Sequence, residues 1–275
     1  MMRRQGRFDN TRRYLRAHWP AYFGMYAVLV LTVVLLGIGL ASGWYALAPF
    51  ALAVMLVAGY GLTAALWTVY QTYDGPGPSS IAQLIDYAQL RPDDKIVCID
   101  LGMRTTAVTI AQQLITGQVT AIDVYNPRSN PGAPLRRVRA AAFKPRSDPR
   151  LEWVDGSIEL LPMPDHSVRL VFVNEILSEF WLPEERALLL EEVRRILVPE
   201  GRLLLAERHR ARGHLLLSGL VTSSLPPAEA WRALLLRADL RIQREDSLRG
   251  LIYCARADRP PPTEGRQLSL QLEFL

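Results

Sequence analysis

Charge is missing from one long stretch of this chain: no Lys, Arg, Asp or Glu occurs between Arg16 and Asp74. That absence excludes a solvated loop or a surface helix there. From Asp74 onward the sequence is densely charged, so the chain is built for two solvents. Cysteine is almost absent as well. The only two, Cys98 and Cys254, lie in short apolar runs that read as buried strands, which argues against a disulfide framework or a metal cluster and fits a reducing compartment.

What is present in the uncharged stretch is length. Ala21 to Ser42 is roughly 22 residues, or about 33 Å at ~1.5 Å per residue, enough for a ~30 Å hydrocarbon core. A second run, Trp44 to Tyr70, is slightly longer and can span with some tilt. Aromatic residues mark the interfaces: Trp19, Tyr22 and Phe23 at the first entry, Trp44 and Tyr45 at the turn, Trp67, Tyr70 and Tyr73 at the exit. Gly39 and Gly43 are spaced for close helix approach, but at the hairpin end they serve the turn. A cleaved signal peptide would have a shorter apolar run, of ~7 to 15 residues, and no second span after it.

The net charge is +5 and the isoelectric point 9.4. Much of the excess sits in Arg3, Arg4, Arg7, Arg12, Arg13 and Arg16, before the first span, while the turn around Gly43 is uncharged. The positive-inside rule then places both ends of the chain in the cytoplasm. The organisation expected is a basic segment 1–20, a transmembrane helical hairpin 21–73, a turn-rich linker 74–80, a globular domain 81–258 and a flexible tail 259–275.

Within the domain, Ile81 to Leu90 has helical spacing, and from Lys95 short apolar runs alternate with helical segments, the pattern of an α/β domain with a mostly parallel sheet. Seven strands are expected: Lys95–Asp100, Val119–Asp123, Leu151–Val154, Val168–Asn174, Gly201–Glu207, Leu240–Glu245 and Leu251–Ala255. Pro183 to Leu197 reads as an amphipathic helix opened by proline and acidic residues, followed by a Pro199-Glu200-Gly201 turn.

The first strand runs into Ile99-Asp100-Leu101-Gly102-Met103-Arg104-Thr105, and Asp123 closes the second at the distance where an acidic group meets a ribose diol in dinucleotide-type folds. Then come Val154-Asp155-Gly156-Ser157, Leu161-Pro162-Met163-Pro164-Asp165-His166-Ser167, and a fourth strand ending in Asn174-Glu175-Ile176-Leu177. This order of motifs resembles the class I S-adenosylmethionine-dependent methyltransferases, the type 11 group in particular, with their Rossmann-like seven-stranded sheet.

The resemblance implies S-adenosylmethionine as cofactor. It implies Asp100 and Gly102 at the methionine part, Asp123 on the ribose hydroxyls, Asp155 beside adenine and Asn174 facing substrate and methyl group as the catalytic candidate. No metal is implied. Two positions depart from the family pattern: Arg104 stands where a second glycine is usual, and Val168-Arg169-Leu170-Val171 replaces F-D-x-V. An inward Arg104 would repel a sulfonium, whereas an outward one would not. His166, His209 and His214 read as solvated surface.

The basic stretch from Arg128 through Arg136, Arg137 and Arg139 to Lys144, Arg146 and Arg150 has no aromatic interleaving, so it reads as lipid-facing or solvated rather than as a nucleic-acid surface. The expectation is a membrane-anchored methyltransferase acting at the cytoplasmic face on a small-molecule, lipid, quinone or other apolar acceptor. The alternative is a catalytically degenerate protein of the same fold, serving as a membrane-bound scaffold or ligand sensor.

Overall fold

The computed structural model describes residues 8–142, 147–210 and 225–261. Two compact units follow one another, divided between Gly77 and Pro78. Lys144, Arg146, His214 and the tail from residue 262 lie outside the described residues.

In the first unit, α1 (Asp9–Ala17) leads into α2 (Trp19–Ala41) and, through a 3-10 turn at Tyr45–Leu47, into α3 (Ala48–Tyr73). Both longer helices are long and apolar enough to cross a membrane, with mean hydropathy 2.4 for Trp19–Ala41 and 1.9 for Tyr45–Tyr73. Compared with the apolar runs, α2 begins two residues earlier, at Trp19, and α3 begins four residues later, at Ala48, and continues three residues further, to Tyr73. Gly43 takes φ +77 just past the end of α2 while the Trp44 N–H donates back to the Gly39 carbonyl at 2.8 Å, a left-handed cap. The two glycines serve the turn. Tyr14 of α1 packs on Tyr73 of α3, ring centroids 5.1 Å apart.

The second unit opens with α4 (Ser80–Ala88), whose Ser79 Oγ accepts from the Ala82 N–H as an N-cap. There follow β1 (Lys95–Asp100), α5 (Thr105–Ala111), β2 (Gln118–Asp123), α6 (Ala133–Ala140), β3 (Leu151–Asp155), β4 (Val168–Asn174), α7 (Pro183–Ile196), β5 (Leu197–Arg208), α8 (Ala228–Arg237), β6 (Arg241–Leu248) and β7 (Ile252–Asp258). The seven strands form one sheet in the order β3-β2-β1-β4-β5-β7-β6. β7 alone points opposite to the other six strands, antiparallel to both β5 and β6.

From Ile96 to Asp100 every residue of β1 is buried, which is why its sequence is continuously apolar rather than alternating. Val97 and Ile99 belong to the core on one face, with Leu189, Val193 and Trp231. Ile96 and Cys98 belong to the other, with Leu84, Ile110 and Phe172. Both cysteines are free and buried.

The seven strands fall where the sequence places them, and β5 differs most. It starts at Leu197 because the Pro199-Glu200-Gly201 turn is a kink inside the strand: Leu197 already pairs with Val168, and Glu200 takes φ +61. Arg169, the second departure from the family pattern, pairs with the buried Asp94, Nε to Oδ1 at 2.8 Å, and ties β4 to the loop before β1.

Candidate functional site

Strand order reverses between β1 and β4, so the C-terminal ends of these strands diverge and leave a crevice. Register brings Asp100, Asp123 and Asp155 side by side on β1, β2 and β3, and Asn174 closes β4 next to Asp100. All five candidate residues therefore stand at one edge of the sheet.

Asp100 is buried and fully engaged. Its Oδ1 accepts from Leu101 N (2.9 Å) and Met103 N (3.2 Å), and its Oδ2 from Arg104 N (2.7 Å). Burial raises its pKa, and these three N–H groups work against that rise. The carboxylate orders a turn in which Gly102 has φ +78 and Arg104 φ +66.

Arginine in the left-handed region costs about 1 kcal/mol, which explains why glycine suits position 104. The Arg104 guanidinium lies over the Trp153 ring, 5.8 Å from its centre, and the nearest atoms to a Cβ placed on Gly102 belong to another residue. Arg104→Gly should thus shift cofactor affinity by less than ~1 kcal/mol and slightly raise stability. A large gain in affinity, read by calorimetric titration, would show instead that Arg104 obstructs the site.

The cation over Gly102 is a different one. Arg139 of α6 reaches back across the crevice, and a Cβ on Gly102 would overlap its guanidinium, with Cζ at 2.8 Å. The same guanidinium stacks 4.2 Å over the Tyr125 ring and pairs with both oxygens of Asp123, at 2.6 and 2.8 Å. In the sequence Arg139 belongs to the basic run expected to be lipid-facing or solvated. Its only signal was helical position, since α6 brings a basic last turn back toward the strand that precedes it.

Asp155 is exposed, and Gly156 beside it is fixed by backbone packing: its N–H donates to the Asp123 carbonyl at 2.9 Å, and a Cβ would strike Ile122 and Pro162. Asn174 donates from Nδ2 to Thr106 Oγ1 at 3.3 Å, while its Oδ1 is buried without a hydrogen-bond partner. A buried acceptor left unpaired costs about 1 to 3 kcal/mol, so this atom is poised for a donor that the protein does not supply.

A second carboxylate organises the far side. Glu207 at the end of β5 is wholly buried and accepts from Ile176 N (2.7 Å), Leu177 N (2.6 Å) and Ser178 N (3.1 Å), holding the loop that follows Asn174. Burial pushes its pKa up to about 7. Arg208 beside it joins Glu179 at 2.5 Å and Glu175 at 3.5 Å. None of these was legible as a site from the sequence.

His209, expected at the solvated surface, is buried: Nδ1 donates to the Arg210 carbonyl at 3.1 Å, leaving Nε2 to accept from Ser247 Oγ at 2.8 Å. His166 is exposed, as expected. Among the described residues no group of three His, Cys, Asp or Glu side chains is placed to hold a metal ion.

The residues present fit S-adenosylmethionine by their chemistry. Asp123 can accept from a diol, Gly102 offers bare backbone and Asn174 Oδ1 awaits a donor. Arg139 must withdraw first. Its side chain is 32% exposed and held by the Asp123 pair and the Tyr125 ring, contacts that an incoming cofactor has to replace.

Residues 99–205 match the family described as "Methyltransferase domain". Among solved structures, the complex of the Trm112 methyltransferase activator and a methyltransferase from Haloferax volcanii is 15% identical with a TM-score of 0.50, covering 70% of this chain and 90% of that one. A methyltransferase from Methanosarcina mazei is 20% identical with a TM-score of 0.48, covering 64% and 97%. No curated protein matches the chain.

Proposed function

We propose that the chain is a membrane-anchored class I S-adenosylmethionine-dependent methyltransferase, held by α2 and α3, that methylates a lipid, quinone or other apolar acceptor at the cytoplasmic face. The observation that carries the catalytic reading is the alignment of Asp100, Asp123, Asp155 and Asn174 at the β1/β4 switch point, with Asn174 Oδ1 unpartnered.

Bound S-adenosylmethionine supplies a methyl group already activated on a sulfonium, so the protein's task is alignment and water exclusion more than proton transfer. Asp100 fixes the glycine turn against which the cofactor rests. Asp123 accepts from the ribose hydroxyls, Asp155 from the adenine amine, and Asn174 orients the groups around the methyl carbon. The Glu207-braced loop keeps Asn174 in place.

The anchoring part of the proposal rests on two uncharged apolar helices preceded by six arginines. Calorimetric titration of the full chain in detergent with S-adenosylmethionine and S-adenosylhomocysteine should show binding of both. A reporter fused after Leu275 should be active only in the cytoplasm, and activity on the outer side would overturn the orientation.

A further inference from the structure

The loop between β4 and α7 ends in Trp181 and Leu182, which are 74% and 48% exposed although the neighbouring Phe180 is buried. They stand at the C-terminal edge of the sheet, the edge that carries the crevice. The Trp181 N–H donates to the Ser129 carbonyl at 3.0 Å, and Asn130 Nδ2 donates to the Glu179 carbonyl at 3.1 Å. The rim therefore sets an exposed Trp-Leu pair beside the 126–130 loop, whose Pro127 and Arg128 are also exposed.

An exposed tryptophan next to an aliphatic residue and an arginine, on a well-tied loop, suits the headgroup boundary of a bilayer, where an indole keeps its N–H wet while its ring leaves water. Only residues 74–79 separate α3 from α4, and six residues reach at most about 20 Å at ~3.5 Å each, so the tether between the apolar helices and the domain is short.

We propose that the Trp181-Leu182 rim inserts into the lipid headgroup layer and opens the crevice toward an acceptor dissolved in the membrane. This rests on the anchored-methyltransferase reading and adds to it the face through which acceptor enters. Glu184 is exposed in the first turn of α7, so contact is driven by the apolar pair rather than by attraction to anionic lipid, and it survives high salt.

Spin labels at Trp181→Cys and, as the control, at Ile115→Cys test this in the full chain reconstituted in vesicles of phosphatidylcholine with a minority of phosphatidylglycerol. Ile115 is also 74% exposed but lies at the opposite edge of the sheet, before β2, and the native cysteines are buried. The label at 181 should collide preferentially with oxygen and the label at 115 with a water-soluble nickel chelate, in low and high salt alike. Equal accessibility of both labels to the chelate, in chains that stay with the vesicles through a carbonate wash, would overturn the rim alone. Chains that wash off would overturn the anchor and the rim together.

Discussion

Asp123→Ala should weaken S-adenosylmethionine binding by about 2 to 4 kcal/mol, roughly 30- to 900-fold, because two hydrogen bonds to a carboxylate are lost together. Arg139→Ala should act in the opposite direction. In the free protein the Arg139 guanidinium occupies the oxygens of Asp123 and the space over Gly102, so cofactor must displace it. A partly exposed ion pair of this kind is worth up to about 1 kcal/mol, and relief of the overlap adds to that, so affinity should rise on the order of tenfold.

The two substitutions share a partner and must not add. In the double variant the benefit of removing Arg139 should shrink, since the alanine at 123 has already freed the guanidinium. Isothermal titration of the four proteins reads the whole cycle. Undiminished binding by Asp123→Ala would mean that the ribose is held elsewhere. A wild type that binds nothing, with binding gained in Arg139→Ala, would make the domain one that Arg139 holds shut.

The largest stability effect is expected at Glu207. Removing its carboxylate leaves three N–H groups of the 176–178 loop unpaired, those of Ile176 and Leu177 buried, so Glu207→Ala should cost about 3 to 5 kcal/mol. Its pH dependence has a definite sign. The folded-state pKa is raised, from 4.5 to about 7, so folding favours the protonated form. The associated stability is fully present below pH 4.5 and is lost as pH rises through 7, a decline of about 3 kcal/mol. Glu207→Gln cannot titrate and should lack that decline. Denaturant unfolding of both proteins in detergent at pH 4.5 and 8 checks it, and parallel pH profiles would show that Glu207 is ionised throughout.

The same residue shows where sequence reading reached its limit. Nothing around Leu204-Leu205-Ala206-Glu207 distinguishes a buried carboxylate from the ordinary polar end of a strand. What makes Glu207 buried is the loop after β4, folded over the end of β5 by the parallel pairing of the two strands.

By itself the sequence determined the elements and the position of the crevice. Uncharged length set the two apolar helices, continuous apolar runs set a sheet buried on both faces, and an acidic residue closing β1, β2 and β3 marked one edge. These are local consequences of hydrophobic burial and backbone geometry, which act within a few residues. Only the tertiary structure decided who touches whom across that edge. It turned Arg104 toward Trp153, brought Arg139 onto Asp123, buried His209 and left Asn174 Oδ1 unpartnered. Long side chains such as arginine sample several partners at nearly equal energy, and the choice among them is made by the packing of distant segments, which no local pattern records.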